Sequence, residues 1–229
     1  MNQPPEQSFE IVLEDDHLMV VDKAAGLVVH PAPSHREPTL AELLADRITG
    51  GDEEGRAGIV HRLDRGTSGL MVVARTESAH SALQDQIRER QVERIYIGLC
   101  QGSPRSRTGT IDAPIGRAPG ARHRMAVNGA GARSSVTHFE VVEGLGPVTL
   151  LRLKLETGRT HQIRAHLKAI GNPLVGDEVY GGRMLFDLTR PFLHSTRLAF
   201  RHPVTGEDVV VESDLPRDLQ SALRSARAT

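Results

Sequence analysis

The chain has 229 residues, 38% of them hydrophobic, and a formal net charge of −1. That length fits one domain or two closely packed subdomains, with core enough to fold without disulfide staples. The composition excludes a disulfide framework, since Cys100 is the single cysteine, and a membrane helix, since no apolar run nears the ~20 residues that spanning needs.

Residues 1–7 carry neither a basic segment nor an apolar stretch, so no signal peptide is expected. Residues 9–13 and 18–22 read as two short strands joined by an acidic turn at 14–16. The Gly- and Pro-rich stretch 25–33 reads as a loop. The pattern then predicts a helix over 39–48, with Thr39 as its N-cap after Pro38. Residues 50–58 are polar and Gly-rich and read as a surface loop, and 59–63 and 70–74 as buried strand segments. Thr76 is placed to cap a helix running to about Arg90, with Ala79, Leu83 and Ile87 on one face. Residues 94–100 alternate as a strand does. Cys100 reads as a small core residue, which suits a reducing, cytoplasmic compartment.

Strands are predicted less clearly at 108–115 and 122–127, and strongly at 135–142 and 148–157. In the last of these, "TLLRLKLET" puts Arg152 and Lys154 on the face opposite the leucines. Gly158 ends that strand. Thr160 is read as the cap of a helix to about Ile170, with Ile163, Leu167 and Ile170 facing inward and Gly171 as its stop. Residues 192–200 and 208–211 are late strands. Asp214 with Pro216 opens a final helix ending near Arg227. Strands outnumber helices and do not alternate regularly with them, and there is no internal repeat. The order predicts an α+β fold on a mixed, mainly antiparallel sheet.

Net charge alone argues against a nucleic-acid partner, but the charge is segregated. Residues 101–133 hold six arginines (105, 107, 117, 122, 124 and 133) against one acid, Asp112, while acids gather at 37–54 and 207–218. Arginine supplies 25 of the 28 basic residues. That bias reads either as genomic base composition or as a preference for bidentate phosphate contacts. There is no Gly-x-Gly-x-x-Gly after a strand, no Walker-type lysine and no cysteine pair for zinc.

Three stretches could carry chemistry. In "HRLDRGTSGL" (61–70), Asp64 stands between Arg62 and Arg65 where a strand gives way to small residues. It reads as a solvated turn, a structural ion pair, or a carboxylate kept ionised for reaction. In "LETGRTHQIRAHL" (155–167), Arg164 falls beside the apolar stripe of a helix. Either it is solvated, or it is buried and needs an anionic partner, for which Asp64 is the obvious candidate. The first turn, beside Arg159 and Thr160, offers free N–H groups to a phosphate. His161 and His166 are five residues apart and do not share a face, which argues against a metal site. In "RIYIGLC" (94–100), Tyr96 shares a face with Arg94 and reads as a core aromatic or as a platform for a base.

Together these stretches resemble the RluA-type pseudouridine synthases. "LMVVDKAAGLVVHP" (18–31) is similar to that family's first motif, "HRLDRGTSGLMVVAR" (61–75) to its catalytic motif and "RIYIGLC" to its tyrosine motif. "LETGRTHQIRAHLKAIGNPLVGDEVYG" (155–181) and "FLHSTRLAFRHPVTGE" (192–207) resemble its third motif and the segment that follows. The resemblance implies a sheet core of two subdomains with flanking helices and a central cleft. It implies isomerisation of uridine in tRNA or rRNA, with no cofactor and no metal. Asp64 matches the catalytic aspartate, Tyr96 the tyrosine that packs on the target base, and Arg164 the basic residue that pairs with the aspartate. Arg62 matches a residue that fills the gap left by the flipped base, and Leu193 an apolar position of the uracil pocket. Arg65 has no assigned role and reads as solvated.

Two positions depart from the family pattern. Ala24 replaces a usual proline, which is expected to loosen the loop after Lys23, and Arg94 replaces a common lysine. No S4-type RNA-binding domain is expected. RNA contacts are therefore expected from the core itself, with the basic 101–133 segment, including Arg122 and Arg124, as the candidate. No obligatory protein partner is evident and a monomer is expected. Two rival readings remain at this point: a non-catalytic RNA-binding protein on the same fold, and an Asp-dependent nucleosidase that releases uracil.

Overall fold

The polar residues that open the hairpin and the first two helices each find a bond in the computed structural model, which describes residues 8–31, 36–49, 58–120 and 124–229. The chain divides into two units, Met1–Glu93 with Arg197–Ser213, and Arg94–Thr196 with Asp214–Thr229.

In the first unit, β1 (Phe9–Glu14) and β2 (Leu18–Lys23) form an antiparallel hairpin. Its acidic turn closes on Asp15, whose Oδ1 accepts the N–H groups of His17 at 2.7 Å and Leu18 at 2.9 Å. β2 pairs on its other side with β3 (Ser68–Ala74), which is buried along its whole length, as a strand covered on both faces must be. α1 (Leu40–Leu44) starts at Thr39 in a reciprocal capping box with Glu42. It is shorter than the predicted 39–48 because the chain tightens into a 3-10 turn, Ala45–Arg47. α2 (Glu77–Arg88) is capped by Thr76 and packs Ala79 and Leu83 on Leu18, Val20, Leu70 and Val72. The loop expected at 50–58 lies, apart from Gly58, outside the described residues.

Residues 59–63 do not form the predicted strand. Ile59 makes a single antiparallel bridge to Val73, and beyond it the imidazole Nε2 of His61 accepts the Val72 N–H at 3.1 Å. A side chain replaces the carbonyl that a ladder would supply.

In the second unit β4 (Glu93–Gln101), β5 (Thr108–Asp112), β9 (Val136–Leu145) and β10 (Val148–Leu155) are antiparallel neighbours in the order β4-β10-β9-β5. Arg152 and Lys154 are exposed and the β10 leucines buried, as the alternation predicts. The 108–115 stretch is not one strand. Pro114 has no N–H for a ladder, so β5 ends at Asp112 and β6 (Ile115–Arg117) starts a separate small sheet. There β6 lies between β7 (Met125–Val127) and β8 (Ala130–Arg133). Gly116 is required at its centre, since a Cβ would lie 2.5–2.7 Å from the backbone of Gly129, Ala130 and Ala132. β11 (Leu193–Arg201) contributes Leu193–Thr196 to this unit and its remainder to the first, where β12 (Asp208–Glu212) pairs with it.

α3 (Gln162–Ala169) begins later than predicted, and Thr160 does not cap it. The helix has no side-chain cap; Gln162, its first residue, instead ties down the loop before it, with Oε1 accepting from the Thr157 hydroxyl at 2.8 Å and the Arg159 N–H at 3.0 Å. His161, at the N-cap position, is left-handed with φ 56°. Ile163 and Leu167 face inward, but Ile170 is 39% exposed because the helix has already ended at Ala169. α4 (Arg217–Arg227) packs Leu219, Ala222 and Leu223 against Leu99, Val148 and Phe192. Cys100 is buried, and burial pushes its thiol pKa up to about 12. Among the described residues no helix is long and apolar enough to cross a membrane.

Candidate active site

Asp64 sits in the turn that leads into β3. Its own carbonyl accepts the Thr67 N–H at 3.0 Å, which closes the turn, and the residue is half-buried between buried Leu63 and exposed Arg65. Arg65 is not merely solvated. Its carbonyl accepts the Gly26 N–H at 2.7 Å and its Nε donates to the Gly26 carbonyl at 3.1 Å. The loop it grips is anchored from below by Lys23, a fully buried lysine whose Nζ donates to the carbonyls of Ala24 at 2.8 Å and Leu27 at 2.9 Å. Ala24, where a proline is usual, donates its N–H to the Ser8 carbonyl at 2.9 Å, a bond that proline could not make. Arg62 is exposed beside this turn.

The other sequence-predicted residues lie in the second unit. Tyr96 and Arg94 are buried on β4, and Leu193 is buried at the start of β11. Arg94 donates from Nη2 to the Glu156 carbonyl at 3.2 Å, while its buried Nε has no hydrogen-bond partner among the described residues. Burial lowers its pKa from the usual guanidinium value, and the neighbouring Tyr96 acts the other way.

Arg164 is the buried alternative of the two readings, and its side chain is only 9% exposed. It has a carboxylate partner that the sequence did not single out. Nε and Nη2 donate to the two oxygens of Asp177 at 2.7 and 2.8 Å, a fork-on-fork ion pair. The Tyr180 ring covers the guanidinium, with Cζ 4.9 Å from the ring centroid. Both residues belong to "GDEVYG", which the sequence offers only as the tail of a longer motif. The signal that could have found Asp177 is the need of a buried arginine for an anion within reach of a tight glycine turn.

The predicted phosphate position at the start of α3 changes. The Arg159 N–H is already bonded to Gln162, and the exposed Arg159 side chain donates from Nε to the Ser134 carbonyl at 3.3 Å. His166 is buried between the Thr137 hydroxyl and the Ala113 carbonyl, each 2.9 Å from a ring nitrogen. No group of three or more His, Cys, Asp or Glu that could hold a metal occurs among the described residues. In the basic segment Arg105, Arg107, Arg117, Arg124 and Arg133 are exposed, on or beside β5 to β8, while Arg122 lies outside the described residues.

A family model described as RNA pseudouridylate synthase matches residues 17–169, a span that holds Asp64, Tyr96 and Arg164. The chain belongs to this family. The synthase is 48% identical over 235 residues to ribosomal large subunit pseudouridine synthase D of Pseudomonas aeruginosa, covering 96% of this chain and 73% of that one. The protein of the same name from Zymomonas mobilis is 41% identical over 233 residues, with the same coverage. Two solved structures share its fold. Human RNA pseudouridylate synthase domain containing 4 gives a TM-score of 0.74 at 25% identity, covering 95% of this chain and 92% of that one. Human RNA pseudouridylate synthase domain containing 1 gives 0.70 at 28%, covering 100% and 98%. The synthase is thus an isomerase acting on RNA, on a mixed, mainly antiparallel α+β fold.

Proposed function

We propose that the synthase converts uridine to pseudouridine in large-subunit ribosomal RNA, with Asp64 as the reactive carboxylate. The choice of RNA rests on one observation, the 41–48% identity to ribosomal large subunit synthases over almost the whole chain. The base leaves C1′ at N1, turns, and bonds through C5. The C5 proton is lost and N1 gains one, so the product is an isomer. Oxidation state is unchanged and no phosphoryl group moves, so the reaction requires neither a cofactor nor a metal. The target leaves its stack first, at a cost of a few kcal/mol.

Asp64 acts unprotonated, as a nucleophile or a base, with Arg164 as its cationic partner. Tyr96 packs on the base, Leu193 lines its pocket, and the exposed Arg62 fills the vacancy in the RNA. A slot of buried apolar groups keeps water from the detached base. Arg159, with Arg122 and Arg124 of the 101–133 segment, contacts the RNA backbone. The enzyme works in the cytoplasm, as a monomer without an obligatory protein partner. The half-burial of Asp64 in a turn held by Arg65 and Gly26 supports this reading, because a reactive carboxylate needs a fixed backbone.

Asp64→Asn keeps the shape of the side chain and removes the charge. It is expected to abolish pseudouridine formation while binding ribosomal RNA within about threefold of the parent. Normal turnover in that variant sinks the role of Asp64. Pseudouridine maps of RNA from cells with and without the gene test the substrate, and a lost site outside large-subunit RNA overturns the ribosomal assignment. Free uracil among the products favours the nucleosidase instead.

A further inference from the structure

The turn "VGDEVYGG" (175–182) is wound tightly around one side chain. Gly176 has φ +77°, a 3-10 turn runs over Glu178–Tyr180, and Gly181 is left-handed. At Gly182 a Cβ would lie 1.9 Å from the Leu174 carbonyl oxygen and 2.9 Å from the Asp177 nitrogen, so only glycine fits. The Asp177 carbonyl accepts the N–H groups of Tyr180 at 3.1 Å and Gly182 at 2.7 Å. The chain therefore doubles back over Asp177, whose side chain is 1% exposed. A carboxylate this buried needs a paired cation, and Arg164 supplies it.

We propose that Asp177 and Tyr180 are positioning residues that fix the Arg164 guanidinium, and that the Tyr180 hydroxyl ties this frame to the small β6–β7–β8 sheet. The proposal rests on the role given to Arg164 above. The Asp177 fork fixes how the guanidinium turns within its own plane, and the Tyr180 ring over Cζ holds it from one face. Between them they leave the group one orientation. An arginine that only offset charge would need neither.

Tyr180 is itself held at its far end. Its hydroxyl oxygen accepts the Met125 N–H at 2.9 Å and lies 3.0 Å from Nδ1 of His161, whose ring stands edge-on to it at 5.7 Å and 85°. Met125 lies in β7, and Ile115 of β6 packs with Ala165 and Tyr180. His161 precedes α3, the helix that carries Arg164. The small sheet thus meets the arginine frame both through the Tyr180 hydroxyl and through its packing on α3.

The test uses total RNA from cells lacking the gene, grown with uridine tritiated at C5, so that each turnover releases tritium. The proteins are the full chain and its Asp177→Asn, Asp177→Glu, Tyr180→Phe, Arg164→Lys and Asp177→Asn/Arg164→Lys variants. Each is checked for a cooperative thermal transition. Asp177→Asn is expected to lower the single-turnover rate at saturating RNA about 100-fold, the usual cost of misplacing a group by about 1 Å. Its RNA affinity should stay within about threefold of the parent. Asp177→Glu restores part of the rate. Tyr180→Phe keeps the ring, loses the two hydroxyl contacts and falls about tenfold. In the Arg164→Lys background Asp177→Asn costs less than about threefold, because two groups acting through one contact do not add.

A purely structural Asp177 lowers the melting temperature and leaves the rate of the folded fraction unchanged, which overturns the proposal. A full Asp177→Asn penalty in the Arg164→Lys background also overturns it, since Asp177 then acts by another route. A Tyr180→Phe rate equal to the parent's removes the tie to the small sheet. Arg164→Lys turning over at the parent rate overturns the underlying role of Arg164, and this proposal with it.

Discussion

Lys23 is a motif lysine whose ammonium serves the backbone of a loop. Its ammonium is fully buried and donates to two carbonyls of the loop that Arg65 grips from the other side. Lys23→Met preserves length and apolar volume and leaves the Ala24 and Leu27 carbonyls without their donor. Of the two, the Leu27 carbonyl is the buried one, and an unmet buried carbonyl costs about 1–3 kcal/mol, so a loss of about 2 kcal/mol is expected in urea denaturation. A loss below about 1 kcal/mol shows that water replaces the ammonium there. At this scale the sequence shows that a group such as Arg164 needs a partner when buried, and it does not single out Asp177 as one. Arg164 beside an apolar stripe announces that a buried cation needs an anion. One anion that it meets is Asp177, thirteen residues along the chain, because the glycine turn brings it back. Periodicity carries no information about such a return, whereas a capping threonine such as Thr39 or Thr76 bonds within three residues and is read directly.

Elements fared according to how local their causes are. The β1–β2 hairpin, α2, β10 and α4 follow from alternation, caps and stripes, and they stand where the pattern puts them. The boundaries missed at 59–63 and at the start of α3 have a long-range cause. His61 bonds Val72 across eleven residues in place of a ladder, and Gln162 reaches Val136 and Thr137 from the start of α3. The second contact extends into a chain with a measurable pH response. Gln162 donates to the Thr137 oxygen, which lies 2.9 Å from Nδ1 of His166, and the His166 Nε2–H donates to the Ala113 carbonyl, an acceptor only. Burial lowers the His166 pKa below the ordinary 6.5, against the opposing pull of the Ala113 bond and Asp112. The unfolded chain then binds this proton more readily than the folded one. The stability His166 contributes is complete above the unfolded value and is lost as pH falls from there through the lowered folded value. The urea midpoint should drop on acidification below about pH 6.5, and His166→Gln should flatten that part of the profile. An unchanged slope in the variant assigns the acid sensitivity to other groups.

Over the whole molecule the near-zero net charge conceals a division of sign, and the proposed RNA contacts fall on its basic part. The exposed arginines Arg105, Arg107, Arg117, Arg124 and Arg133 belong to one stretch of sequence, and that stretch folds into the strands and turns around β5 to β8. Of these, Arg117 and Arg133 stand on paired strands, which fix their spacing, and Arg105, Arg107 and Arg124 stand in the segments beside them. Counterions released from RNA then make affinity fall with salt in proportion to the number of contacts, by about 0.7 in the log–log slope for each contact to a single strand. If Arg122 and Arg124 contact the RNA backbone as proposed, replacing both with alanine removes two contacts. The slope of log Kd against log salt should become shallower by roughly 1.4, with weaker binding at low salt and nearly equal binding at high salt. Fluorescence anisotropy on ribosomal RNA fragments across a potassium chloride series measures both. The charge-preserving pair Arg122→Lys and Arg124→Lys should hold the parent slope, because the counterion term counts charge and not the bidentate geometry of arginine. If the alanine variant keeps the parent slope while the fold is intact, the RNA backbone lies on another face, and the segregated arginines reflect codon usage.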